Sequence, residues 1–151
     1  MPLQNEQRTL VTNDEEALIS RKVMVWINGY PNLPTAITRV DFEQLPADAV
    51  GMSVSVASGY VTKRYITGGH RAEYAFSVFY RIKPATSNDA RLKADEVLNT
   101  MADWMASNPP TLGDNLRVVK VENTARAMLL VPYENGDEDH QVQMKLTYEV
   151  I

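Results

Sequence analysis

The chain has 151 residues, 44% of them apolar and 23% charged, and a net charge of −4. That length can bury one core, and the acidic balance without basic clusters argues against binding nucleic acid through its phosphates. Without cysteine there is neither a disulfide framework nor a thiolate zinc site, and no apolar run reaches membrane-spanning length.

The N-terminus lacks a basic-then-apolar leader pattern, which predicts a cytosolic protein unless it leaves inside a larger particle. Residues 1–11 are polar and aperiodic and read as a mobile arm, with residues 12–151 as a single domain. A helix is expected to start at Thr12 or Asn13. Glu15 or Glu16 would complete a capping box, and Asp14, Glu15 and Glu16 suit the positive end of the helix dipole. Ile19, Val23, Trp26, Ile27 and Tyr30 form an amphipathic stripe, Gly29 a C-cap, and Pro31 and Pro34 the stop. Ile37, Val40 and Phe42 suit a short strand, and Pro46, Asp48 and Gly51 mark a loop. Met52, Val54 and Val56 alternate with Ser53 and Ser55 in a strand punctuated by Ser58 and Gly59.

The strongest signal lies at 71–83. Ala72, Tyr74, Phe76, Val78, Tyr80 and Ile82 occupy one parity, and Arg71, Glu73, Ser77, Arg81 and Lys83 the other. Successive strand residues face opposite sides, so this is a long strand with one buried face. Gly68-Gly69 fits a two-residue primed turn, which sets Tyr65 opposite Ala72, Arg64 opposite Glu73 and Val61 opposite Phe76. Lys63 opposite Tyr74 is a misfit in that register. After Pro84 a second helix is expected from Ser87 or Asn88 to about Ser107, with Ala94, Val97, Leu98, Met101, Trp104 and Met105 as its stripe. Asp89–Lys93 and Arg91–Asp95 would pair on its outer face. Residues 117–121 and 125–131 read as two strands. Val142, Met144, Leu146, Tyr148 and Val150 alternate in a last one, after a turn at Asn135-Gly136. The expected architecture is α+β: a mainly antiparallel sheet with two helices packed on one face.

No catalytic constellation stands out. His140 with Asp137, Glu138 and Asp139 lacks the spaced oxygen ligands of a calcium loop, and the run reads as a solvated hairpin loop, not a metal site. Gly68-Gly69 lacks the lysine and following helix of a phosphate loop.

Three stretches together resemble a family of long-tailed bacteriophage proteins, the minor capsid proteins similar to tail terminators that act in head–tail joining. They are Arg64-Tyr-Ile-Thr-Gly-Gly-His-Arg-Ala-Glu-Tyr74 leading to Tyr80-Arg-Ile-Lys-Pro84; Arg91-Leu-Lys-Ala-Asp-Glu-Val-Leu98 with Trp104; and Glu138-Asp-His-Gln-Val142 continuing to Leu146-Thr-Tyr-Glu-Val150. The likeness runs from about Thr12 to the C-terminus and is one of pattern. It implies a structural protein that caps the tail tube as a ring, usually a hexamer, and joins it to the head. The implied partners are further copies of the chain, the tail tube protein and a head-completion or connector protein. DNA would pass through the lumen without specific binding, and Asp137, Glu138 and Asp139 would repel it if they face the lumen. The resemblance implies no catalytic residue, cofactor or membrane contact, and a place in the virion tail after synthesis in the host cytoplasm. The hairpin offers the candidate assembly interface, Lys63, Arg64, Tyr65, His70 and Arg71. The alternative reading is a small α+β ligand-binding domain or enzyme. A buried site needs polar residues among core positions, and the apolar parities of 71–83 and 141–150 hold almost none.

Overall fold

The computed structural model describes residues 9–45, 50–84 and 87–151. Most of the expected arm, and the loop markers Pro46 and Asp48, lie outside the described residues. The long strand expected at 71–83 is β4 (His70–Ile82), and its burial alternates as expected from Ala72 to Val78, whereas Tyr80 and Ile82 on the same parity are only half-buried. Ala72, Tyr74, Phe76 and Val78 are buried. β4 pairs antiparallel along its whole length with β6 (Glu138–Val150), which sets Phe76 beside Met144 and Val78 beside Val142. On its other side lies β3 (Gly51–Arg64), also antiparallel. β5 (Leu116–Pro132) forms the edge beyond β6. The opposite edge is made by two short strands on the outer side of β3: β1 (Thr9–Leu10) pairs with Val61 and Tyr60, and β2 (Val40–Phe42) pairs in parallel with residues 52–54.

Two helices cover the apolar face. α1 (Asn13–Asn28) begins where the Thr12 hydroxyl accepts the Glu15 N–H at 3.2 Å, satisfying one orphan donor, and it stops at Gly29. It buries Ile19, Val23 and Ile27. α2 (Asn88–Ser107) is capped by Ser87 and buries Ala94, Leu98, Met101, Ala102 and Met105. Trp26 packs against this core as expected, 6.3 Å edge-on to Phe76 and stacked on Trp104 at 6.2 Å, so the two indoles bridge the helices. Each large side chain buried in this layer contributes about 1.5–3 kcal/mol. The architecture is therefore α+β, two helices on one face of a mainly antiparallel six-stranded sheet. Among the described residues no helix is long and apolar enough to cross a membrane.

Four local expectations change. The end of the expected arm is a strand: Val11 is buried, and its N–H donates to the Gly59 carbonyl at 3.0 Å. Gly59 does not end a strand. β3 runs through it, with a bulge between Val56 and Ser58, and a Cβ at Gly59 would stand 2.8 Å from Val11 Cγ2. The two strands expected at 117–121 and 125–131 are one strand of 17 residues set against 13 in β6, the surplus taken up by four register shifts. On α2, Lys93 reaches Asp89 at 3.2 Å as expected, but Arg91 and Asp95 turn away from each other, to Glu138 at 2.8 Å and to His140 at 2.7 Å.

Candidate assembly surface

The sheet face away from the helices carries the polar parity of β4 and β6. Its two ends are built alike, each around a hairpin turn that starts with tyrosine. In the β3–β4 turn the Gly68 N–H donates to the Tyr65 carbonyl at 3.1 Å, and the Tyr65 N–H to the Gly69 carbonyl at 2.9 Å. In the β5–β6 turn the Gly136 N–H donates to Tyr133 and the Tyr133 N–H to Asp137, both at 2.9 Å. Both are three-residue loops whose last position needs positive φ, met by Gly68 at 101° and Gly136 at 92°. The two-residue turn expected at Gly68-Gly69 is thus corrected. Gly68 supplies the left-handed residue, whereas Gly69 is needed because a Cβ there would collide with the Val150 carbonyl oxygen. The register moves with it: Arg64 faces His70, Lys63 faces Arg71, Val61 faces Ala72, and Phe76 meets Val56. Glu73, freed from Arg64, pairs with Lys145 of β6 at 3.3 Å.

At the first end the Tyr65 hydroxyl and Arg71 Nη2 (3.2 Å) share Glu149 Oε2, while Arg117 Nε binds Oε1 at 3.1 Å. The tyrosine hydrogen bond, then the Arg117 one, hold the Glu149 carboxyl down at about 2, against a smaller opposing effect of burial. The same bond to Glu149 pushes the Tyr65 hydroxyl up. At the second end Arg81 grips Asp139 with two bonds, Nε to Oδ1 at 2.7 Å and Nη2 to Oδ2 at 2.9 Å. The Tyr133 hydroxyl donates to Asp139 Oδ2 at 2.6 Å, and the guanidinium lies 4.9 Å from the Tyr133 ring centroid.

The structure divides the five candidate residues. Tyr65 and Arg71 converge on Glu149. Lys63 lies over the Tyr65 ring at 5.7 Å, and its misfit opposite Tyr74 disappears with the corrected register, in which Gly59 faces Tyr74; Arg64 is exposed. His70 points the other way, toward α1: its Nε2 meets Glu15 Oε2 at 3.0 Å, and the Tyr148 hydroxyl donates to the same oxygen at 2.6 Å. Burial, then this Glu15 contact, pushes the Tyr148 hydroxyl up. His70 is therefore an anchor of α1 and not part of the tip.

The acidic run is also corrected. Asp137, Glu138 and Asp139 are buried, not solvated. Glu138 takes Arg91 at 2.8 Å and His140 Nε2 at 3.1 Å, and His140 Nδ1 meets Asp95 at 2.7 Å. Burial raises the Glu138 carboxyl, but Arg91 and His140 together outweigh it and leave it lowered. Sequence reasoning missed Arg81, Arg117, Tyr133 and Glu149 as members of these clusters. One signal was present: Tyr65-Ile-Thr-Gly68 and Tyr133-Glu-Asn-Gly136 share tyrosine and glycine at the same spacing.

No protein-family model matches the sequence, and no curated protein matches it. Solved structures do. One chain of the virion of a native gene transfer agent particle superposes with a TM-score of 0.52 at 16% identity, covering 89% of this chain and 93% of that one. A second solved chain, at TM-score 0.46 and 19% identity, covers 93% of this chain and 97% of its own, too weakly to carry an argument. At these identities the likeness is one of fold.

Proposed function

We propose that this protein is a structural component of a phage-like virion and that it caps the tail tube as a ring, forming the joint to the head connector. The observation that carries the reading is the fold held in common, over nearly the whole of both chains, with a chain of the gene transfer agent virion. The three stretches that resemble tail terminators support the finer step. The protein works by surface complementarity without bond chemistry. Both histidines are bonded to carboxylates within the fold, His70 to Glu15 and His140 to Asp95 and Glu138, an arrangement suited to holding elements together. The β3–β4 tip, with exposed Lys63 and Arg64 beside the Tyr65–Arg71–Glu149 cluster, faces an axial partner, the tube or the connector.

The test is to add the purified protein to tail tube protein of the same particle as it polymerises. Tubes of arrested length with a ring at one end are expected in electron micrographs. Tubes that keep growing with bare ends overturn the capping role. Reproducible ester, phosphate or glycoside hydrolysis lost in His140→Ala overturns the non-enzymatic reading.

A further inference from the structure

The surface at the Tyr65 end is basic even after its ion pairs are made. One carboxylate, Glu149, serves two arginines there, Arg71 and Arg117. It lies beneath them: its side chain is 8% exposed, theirs are 41% and 68%. A partner approaching this end therefore meets guanidinium and not carboxylate. Arg71 is not saturated either, since its Nε is buried without an acceptor among the described residues. Lys63 and Arg64 add two exposed cations. Among the described residues Lys63 holds only the Tyr65 ring, and Arg64 has no partner. No acid stands between Gly51 and Ala72 to offset them, and the next acids on this face, Glu73 and Glu122, are held by Lys145 and Lys120. Asp14, Glu15 and Asp114, at the same end, lie across the sheet beside α1.

Above these cations stands Ile66, fully exposed at the apex of the loop. The combination selects the chemistry of what it meets. Duplex phosphates would satisfy the cations but offer Ile66 no apolar surface to bury against, and the net charge of −4 opposes the approach of DNA to the chain as a whole. A protein surface with carboxylates around an apolar socket satisfies both the cations and the apex.

We propose that the axial partner met by this tip presents an acidic protein surface, with a socket that buries Ile66 and carboxylates that face Lys63, Arg64, Arg71 and Arg117. This names the chemistry of the axial partner and rests on the capping reading for the existence of one.

Binding of the full chain is measured by cosedimentation with two probes from the same particle, assembled tail tubes and tailless heads, and by fluorescence anisotropy with a short DNA duplex. The parent is expected to bind tubes, heads or both, and to bind about tenfold more weakly when salt is raised from about 50 to about 400 mM, because exposed charges are screened. Lys63→Glu with Arg64→Glu is expected to lose about tenfold or more at low salt while melting like the parent, and Lys63→Arg with Arg64→Lys to bind as the parent does. Ile66→Ser is expected to weaken binding by a similar factor at both salt concentrations, because ions do not screen an apolar contact. Equal binding by the parent and the Lys63→Glu, Arg64→Glu variant, or binding by the parent that ignores salt, overturns the acidic partner and leaves the capping role standing. Unchanged binding by Ile66→Ser overturns the socket. Duplex binding that the Lys63→Glu, Arg64→Glu variant loses overturns the protein partner in favour of phosphate. A parent that binds neither tubes nor heads overturns the capping reading, and the partner's chemistry with it.

Discussion

The two ends of the sheet use one design at different depths. Each has a tyrosine opening a three-residue turn, a carboxylate on β6 and an arginine on β4. At the Tyr133 end the side chains of Arg81 and Asp139 are 16% and 7% exposed, and behind them Arg91, Asp95, Glu138 and His140 fasten the strand to α2. At the Tyr65 end Arg71 and Arg117 are 41% and 68% exposed, and Ile66 at the tip is uncovered. The same turn chemistry can therefore either close a domain or leave a tip free: a helix stands behind each end, α2 at one and α1 through His70 and Tyr148 at the other, and what differs is how far the arginines are covered. The Tyr133 end is a structural weld, and the Tyr65 end is a surface.

The support common to both ends is Phe76, midway along β4. It is 2% exposed and packed on Trp26 and Tyr74. Phe76→Ala is expected to cost about 3–5 kcal/mol in a denaturant titration, because it leaves a cavity in the layer that carries both arginines. Ser77→Ala, on the other face, is expected to cost little. An unchanged melting temperature for Phe76→Ala would reject the placement of the core. Asp139→Asn then separates the ends. It keeps the volume but removes the charge that Arg81 faces, so a loss of about 2–3 kcal/mol is expected, less than for a fully buried pair. A change within the error of the titration would place the Tyr133 cluster among surface pairs of little consequence and erase the contrast.

How far the sequence foretold this contrast depends on the range of each cause. The caps Thr12 and Ser87 were legible because their partners lie three residues away. The buried parity of β4 and β6 was legible because one face of each strand meets helices along its length. The hairpin register was not, since Gly69 is fixed by the Val150 carbonyl, on a strand that arrives at the end of the chain. Glu149 looked like an ordinary solvent-facing position of an alternating strand and Asp139 like part of a solvated hairpin loop, and only the pairing of β6 with β4 makes them the centres of the two clusters. The bulges of β5 break its alternation, so one strand read as two.

Acid should affect the Tyr65 end in a defined window. Glu149 has its carboxyl lowered from 4.5 to about 2 in the folded chain. A depressed carboxylate contributes stability that is complete above its unfolded value and is lost as pH falls toward the folded one. The Arg71 guanidinium, pushed up by its hydrogen bond to Glu149, stays charged throughout. The part of the stability loss between pH 4.5 and about 2 that comes from Glu149 is therefore expected to vanish in Glu149→Gln. Parallel acid profiles for the parent and the variant would show that the Tyr65–Arg71–Glu149 contact does not couple to folding.

The smallest expected effect on stability is the most informative about use. Ile66 lies at the apex of the β3–β4 loop and is fully exposed, an apolar residue where turn chemistry favours polar ones. Ile66→Ser removes no buried surface and leaves Gly68 to provide the positive φ, so its effect on folding should stay within about 0.5 kcal/mol. Loss of tube capping in a variant that melts like the parent would assign the tip to an axial partner. Adding Arg64→Ala should deepen that loss without moving the melting temperature, since Arg64 is exposed as well. Tyr65→Phe is the useful contrast, because it keeps the ring under Lys63 but removes the hydroxyl that binds Glu149. If capping survives Ile66→Ser with Arg64→Ala but fails in Tyr65→Phe, the partner reads the open sheet face around Glu149 and the apex is a bystander. If all three cap normally, the axial surface lies elsewhere and the Tyr65 end is, like the Tyr133 end, only a way of closing a hairpin.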